Sequence, residues 1–210
     1  MALLTLPAWW AGRFFGGAWR AVLSRASRLG WLLALVNMAL AAAPSMVPAA
    51  KAPEYAIKAA YLFNFTHFVE WPSNAFASAA APLVIGVLGD DPFGAALDQA
   101  VKDRTAQGRA LQIRRIKQIG EVGGCHILFV CASESKRLPE VLAAAHQRNV
   151  LSVSDLDRFA EQGGVISFYT ENNKVRFRIN LSAAERAGTR ISSQLLRLGT
   201  IIRDKDTAER

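Results

Sequence analysis

The chain has 210 residues, of which 51% are hydrophobic, and its formal net charge is +8. This length and composition indicate one domain with an additional apolar segment, and they exclude a chain that is disordered throughout. The first 50 residues hold four arginines and no acidic residue, so the remainder carries 21 basic and 17 acidic groups. Because these charges alternate and no nucleic-acid-binding motif is present, we do not expect a nucleic-acid partner.

The N-terminal 50 residues have the features of a secretory signal peptide. A basic region precedes a run of about 15 apolar residues, which is short for a membrane span of about 20, and the basic residues are Arg13, Arg20, Arg25 and Arg28. The small residues ending at Ala43 or at Ala49 are the two candidate cleavage sites, and an uncleaved anchor is the alternative. We therefore expect export to the periplasm, with residues 51–203 as one domain and 204–210 as a charged tail.

An aromatic helix opens the expected domain. Glu54 and Lys58 have the i,i+4 spacing of an ion pair on an exposed turn. Pro72 ends the helix, because the residue before a proline is pushed out of the α region. The pattern predicts a helix over 54–71 that covers the first buried strand, and one of its faces contains residues recurring every three or four positions, namely Ile57, Tyr61, Asn64, Phe65, Phe68 and Trp71.

The rest of the chain alternates strand and helix patterns. Continuous apolar runs at 82–89 and 125–131 are typical of strands buried on both faces of a parallel sheet. A strand nearer the sheet edge is predicted at 110–116 and a short strand at 150–153. Between and after these strands the pattern predicts helices: one capped by Asp91 that runs to residue 101, one over 133–149, and a short one beginning at residues 154–155.

The last third of the chain predicts a hairpin followed by two helices. The hairpin joins 165–169 to 174–180 through Asn172 and Asn173, which tolerate positive φ. Helices are predicted at 182–187 and 191–202. The fold class is therefore α/β: a three-layer sandwich with a mainly parallel sheet, an antiparallel hairpin at the edge and helices on both faces.

Cys125 and Cys131 fall in one predicted strand. Six residues of strand span about 20 Å, whereas the Cα atoms of a disulfide lie within about 7 Å of each other. We therefore expect two buried thiols, and an intermolecular bridge is the alternative.

The sequence contains no catalytic constellation. The G-x-S-x-G, H-E-x-x-H, P-loop and G-x-G-x-x-G motifs are absent, and His67, His126 and His146 are scattered along the chain. We expect no enzymatic activity, no cofactor and no metal site.

Two features point instead to recognition. Trp71 stands beside Glu70 at the exit of the first helix, where core packing explains it poorly. Arg176 and Arg178 share one face of a hairpin strand, and Arg190 lies in the link at 188–193. Exposed arginine is favoured at interfaces, so these residues are candidates for binding a protein or a small anion. A solvated sheet edge is the alternative interpretation for Arg176 and Arg178.

Seven segments together resemble the YfiR family and cover residues 54–199. They are YxxKAAYLFNFTxFVEWP at 55–72, IGVLGDDPFG at 85–94, CHILF at 125–129, LSVSD at 151–155, GGVISF at 163–168, KVRFRIN at 174–180 and AGxxISSxLLxL at 187–198. The resemblance implies a periplasmic regulator that represses a membrane diguanylate cyclase by binding its periplasmic sensor domain, which lowers cyclic di-GMP and biofilm formation. It also implies that an outer-membrane lipoprotein can sequester the repressor.

The resemblance implies a small-molecule site in this region, and it makes Ser192 a candidate beside Trp71 and Arg190. A homodimer is a further candidate assembly. Two other functions remain open: a periplasmic small-ligand receptor feeding a transporter or signalling partner, and a signal-anchored enzyme.

Overall fold

The computed structural model describes residues 51–203; the expected signal peptide and charged tail lie outside them. The helices are α1 Lys51–Phe68, α2 Ala95–Val101, α3 Leu138–Gln147, α4 Leu181–Arg186 and α5 Ser193–Leu196. The strands are β1 Val69–Glu70, β2 Leu83–Leu88, β3 Thr105–Ala106, β4 Arg109–Ile116, β5 Ile127–Val130, β6 Leu151–Ser154, β7 Ile166–Glu171, β8 Lys174–Asn180, β9 Arg190–Ile191 and β10 Thr200–Ile202. Short 3₁₀ turns occur at Ser73–Ala75, Ile119–Val122 and Ala132–Arg137.

One eight-stranded sheet, in the order β10-β8-β7-β6-β5-β2-β4-β3, forms the centre of the fold. Its pairs are parallel except for the β7–β8 hairpin and the β3–β4 pair at the far edge. The predicted α/β fold with a mainly parallel sheet is confirmed, and β10 adds one parallel strand outside the hairpin.

The central strands are buried on both faces, as their apolar runs predict. Ile127 and Phe129 of β5 pack into the core cluster that contains α1, α2 and α4 residues. Leu128 and Val130 point to the other face, into a cluster with α3. Helices therefore cover both faces, which gives the three layers.

The face and the end of the first helix differ from the prediction. Phe65 of the predicted face is fully buried, but so is Leu62, which lies on another face, whereas Ile57 is 49% exposed, because aromatic spacing alone does not identify the stripe that meets the sheet. Lys58 is buried and not on an exposed turn. Trp71 is not helical: α1 ends at Phe68, because the next two residues pair with β9.

Three further elements differ from the prediction. Residues 191–202 form β9, α5 and β10 instead of one helix, since Thr200–Ile202 pair with β8. Asp91 does not cap a helix; its Oδ1 accepts the Phe93 N–H at 2.7 Å, and α2 begins after Gly94. Residues 156–163 form turns in place of the short helix.

Two local predictions are confirmed. Asn172 and Asn173 have φ values of 50° and 58° and connect β7 to β8. Cys125 and Cys131 are free and buried. Burial raises the pKa of Cys131 to about 12, so its thiol stays protonated at neutral pH.

Candidate functional site

The chain turns a corner where α1 ends. Glu70 lies opposite Arg190 in the antiparallel β1–β9 pair, and the N–H of Ser192 donates to the carbonyl of Phe68 at 2.9 Å. A cavity of about 280 Å³ opens here, lined by Glu70, Trp71, Pro72, Gly188 and Arg190. We call these five lining residues the Trp71 corner.

The indole of Trp71 contacts His126, the residue that precedes β5. Its Nε1–H donates to the carbonyl of His126 at 3.1 Å, and its ring meets the imidazole edge-on at a centroid distance of 6.0 Å. The side chain is half-buried. One polar atom is thus satisfied inside the protein while part of the ring remains available, a combination common at interfaces.

His126 connects this corner to the sheet and to the following loop. Its Nδ1 accepts the N–H of Val84 at 3.1 Å, so the proton of the neutral ring is on Nε2, which donates to the carbonyl of Ala75 at 3.2 Å. Phe76 stacks on the imidazole at 4.3 Å. Burial lowers the pKa of His126, because the charged ring would lose hydration. The neutral tautomer is therefore the form that holds the loop.

A second cavity, of about 480 Å³, also uses Trp71 as a wall and lies beside the 73–81 loop. Arg109 closes this loop: its guanidinium lies 3.8 Å from the centroid of Phe76 and donates to three loop carbonyls, those of Ser78, Ala79 and Ala81. Gln107 donates to the carbonyls of Thr66 and Val69 at 2.8 and 2.7 Å. Trp71 therefore separates two cavities whose walls are fixed by internal hydrogen bonds.

Arg190 carries the positive charge of the Trp71 corner. It is exposed, as is Glu70 across the strand pair. Within residues 51–203 its guanidinium has no hydrogen bond or ion pair. An exposed cation, a carboxylate and an indole thus line one cavity, which is the chemistry of recognition.

The other three candidate residues lie elsewhere or have local roles. Ser192 caps α5 by accepting the N–H of Leu195 at 3.3 Å. Arg176 pairs with Glu171 at 2.8 Å, and Arg178 lies over the ring of Tyr169 at 4.2 Å. Both arginines project from β8 and line neither cavity of Trp71.

The structure contains a buried ionic cluster that the sequence patterns did not predict. The Lys58 ammonium lies 2.6 Å from Glu54 and 2.7 Å from Asp155, and the Tyr55 hydroxyl donates to the same Asp155 oxygen at 2.8 Å. Burial is the larger cause that raises the pKa of Tyr55, and the hydrogen bond to Asp155 raises it further. The i,i+4 spacing identified Glu54 and Lys58, but no local signal could connect them to a carboxylate 97 residues away.

The described residues show no arrangement typical of a metal centre. Between residues 51 and 203, no three histidine, cysteine or carboxylate side chains converge as metal ligands would. No helix in the same range is long and apolar enough to cross a membrane. The fold defines the class of protein as an α/β domain with a mainly parallel sheet.

Sequence comparison identifies the family. The YfiR/HmsC-like family matches residues 55–200, which is more than half of the chain, so the chain belongs to it. The family consists of periplasmic regulators of the YfiR type and is regulatory, not catalytic. No curated protein matches the sequence.

Two solved structures are similar to this chain at low identity. A conserved domain protein from Vibrio cholerae O1 biovar El Tor is 14% identical, with a TM-score of 0.42 over 56% of this chain and 54% of that one. The ligand-free, open form of a substrate-binding protein with adhesive properties from Clostridium difficile is 13% identical, with a TM-score of 0.42 over 62% of this chain and 57% of that one. The chain thus spans little more than half of the length of either structure.

Proposed function

We propose that this chain is a periplasmic protein that represses a membrane-bound diguanylate cyclase by binding its periplasmic sensor domain, and so lowers cyclic di-GMP. The observation that carries the proposal is the family match over residues 55–200, which occupies nearly all of the described domain. Residues 1–50 would act as the export signal. An outer-membrane lipoprotein that sequesters the repressor is the partner expected to relieve the inhibition.

The Trp71 corner is the proposed contact for the partner or for a ligand that controls it. Tryptophan and arginine dominate binding energies at interfaces, and here a half-buried indole lies beside the exposed Arg190. Glu70 supplies a carboxylate for a complementary cation. Ser192 acts indirectly, by fixing the start of α5.

A small-ligand receptor that feeds a transporter or signalling partner is the second candidate function. The larger cavity beside Trp71, of about 480 Å³, favours it, because ligand pockets of proteins measure about 300–1,000 Å³; the smaller, of about 280 Å³, lies just below this range. The two functions differ in the direct partner, which is a sensor domain in the first and a transport or receptor protein in the second.

Deleting the gene and measuring intracellular cyclic di-GMP tests the repressor function. We expect the concentration to rise, and to return to the starting level when the target cyclase is deleted as well. An unchanged concentration in cells that express the cyclase would contradict repression.

Arg190→Ala tests the Trp71 corner. Because Arg190 is exposed, we expect an unchanged melting temperature but weaker repression in a complemented deletion strain. The matched control is Arg104→Ala, which removes an exposed arginine from the loop after α2 and should leave repression intact. Full repression by the Arg190 variant would remove this residue from the site.

A further inference from the structure

The outer edge of β10 is unpaired within residues 51–203. β10 ends the strand order of the sheet and bonds only to β8, so alternate backbone N–H and C=O groups point away from the sheet. Such an edge is a template for another strand. Apolar side chains accompany it: Leu198 is 68% exposed and Ile201 is 42% exposed.

This edge is basic. From Gly188 to Arg203 the sequence contains three arginines and no acidic residue. The neighbouring β8 alternates core residues with outward basic ones, and Arg178 lies opposite Thr200 of β10. We define the β10 edge as Arg178, Arg197, Leu198, Thr200 and Ile201.

Side-chain contacts hold the β10 edge in place. The hydroxyl groups of Tyr169 and Thr200 lie 3.3 Å apart, which ties β10 to the hairpin across β8. The guanidinium of Arg178 lies over the Tyr169 ring at 4.2 Å. Its charge is therefore held over the sheet face one strand inside the open edge, and holding it there before any partner arrives lowers the ordering cost of binding.

We propose that the β10 edge receives an extended acidic segment of the partner as an additional strand. Backbone hydrogen bonds would give affinity, as in other strand-addition complexes. Apolar side chains of the segment would cover Leu198 and Ile201, and its carboxylates would meet Arg178 and Arg197. That this partner is the sensor domain rests on the proposed function.

Charge argues for such a partner and against a second copy of this chain. Pairing β10 with β10 of a second copy would place the basic edges of both copies at one interface, and like charges opposite each other destabilise strand pairs. An acidic segment would instead be attracted to the basic edge, and this attraction should weaken as the salt concentration rises.

Amide hydrogen exchange on the purified chain tests the edge directly. The probe is a capped peptide of alternating glutamate and valine, and its control has lysine in place of glutamate. We expect the glutamate peptide to slow amide hydrogen exchange at residues 200–202, and the lysine peptide to leave it unchanged. Leu198→Glu/Ile201→Glu should weaken this binding about tenfold or more, since it removes apolar contacts and adds like charges. Equal protection by both peptides, or no protection, would overturn the proposal.

The matched control variant is Ile57→Glu, because Ile57 is 49% exposed but lies on α1. It should bind the glutamate peptide like the unmodified chain. Sedimentation gives a second check: a dimer that Leu198→Glu/Ile201→Glu dissociates would show that the edge serves a second copy and would overturn the acidic partner.

Complementation of the deletion strain separates the two proposals. If deletion raises cyclic di-GMP, the Leu198→Glu/Ile201→Glu variant should fail to lower it, whereas Ile57→Glu should succeed. Restored repression by the double variant would overturn the edge as the partner surface and leave the repressor function standing. No rise on deletion would overturn the repressor function, and the peptide result would then decide on the edge alone.

Discussion

Removing the buried ammonium of Lys58 should destabilise the domain strongly. Lys58 is only 4% exposed and lies 2.6 Å from Glu54 and 2.7 Å from Asp155, whose side chain is 15% exposed. Lys58→Met keeps an unbranched side chain, one heavy atom shorter, but leaves the Asp155 carboxylate without its cation. Since Asp155 follows β6 and Lys58 lies on α1, the loss affects the contact between the first helix and the sheet.

The magnitude follows from the surroundings of the two carboxylates. Breaking a buried ion pair by removing one partner costs about 3–5 kcal/mol. The lower part of this range applies, because the Tyr55 hydroxyl still donates to Asp155 and Glu54, at 34% exposed, can be hydrated. We expect a loss of about 3 kcal/mol in the free energy of unfolding, or about 6–12 °C in melting temperature for a domain of this size.

Urea unfolding and thermal unfolding measure this loss. The matched control is Lys117→Met, because Lys117 pairs with Asp90 at 3.1 Å while both side chains are largely exposed; exposed pairs contribute about 0–1 kcal/mol. Adding Asp155→Asn to Lys58→Met should recover part of the loss, since no unpaired buried carboxylate remains. A loss below about 1 kcal/mol for Lys58→Met would refute the reasoning from burial.

Three further predictions concern His126 and two glycines. Because burial lowers the pKa of His126 in the folded protein, the unfolded chain binds the proton more readily; stability should therefore be complete above about pH 6.5 and fall as pH decreases below it. His126→Asn should flatten this part of the pH profile of urea unfolding, and an unchanged profile would contradict the assignment. Gly199→Ala should destabilise by about 1–3 kcal/mol and speed amide exchange in β10, because its Cβ would lie 2.6 Å from the Phe177 ring; unchanged exchange would contradict this. Gly86→Ala should lower the melting temperature, because its Cβ would lie 2.6 Å from the Cys125 sulfur, and adding Cys125→Ala should restore part of it; no recovery would place the strain elsewhere.

The strands that were predicted correctly are those whose signal is local. β2 and β5 are apolar throughout and buried on both faces, so their runs needed no knowledge of partners. The hairpin was equally local, since Asn172 and Asn173 both adopt positive φ. These elements establish the sheet, and with it the α/β class.

The elements that were missed depend on distant partners. Residues 200–202 are three β-branched residues that follow a glycine, which favours a strand, but the leucines before them have helical spacing, and pairing with β8 completes the strand. Gly199 allows that pairing, because the Phe177 ring occupies the space of a side chain there. The end of α1 was misplaced for the same reason: β1 exists only because β9, 120 residues later in the chain, pairs with it.

The candidate site was predictable in part. Trp71 is a candidate because core packing explains it poorly, and Arg190 because it is a basic residue in the link at 188–193; the structure brings both to one cavity. His126 and Arg109, which fix the walls around Trp71, could not be selected from the sequence, because an isolated histidine or arginine has no pattern. Their roles arise from loop carbonyls that only the folded chain brings near.

The Trp71 corner and the β10 edge share one short segment, residues 188–203, which contributes Gly188 and Arg190 to the corner and Arg197 to Ile201 to the edge. Buried side chains fix this segment at two points: Thr189, within the corner, is 4% exposed, and Leu195, between the corner and the edge, is 2% exposed. β9 bonds to β1 and β10 bonds to β8, so each end is held by a different sheet. Movement of α5 against its buried leucine is the direct route by which a ligand in the corner would influence the strand at the edge. Where α5 stays in place, we expect substitutions at the two surfaces to contribute additively to binding.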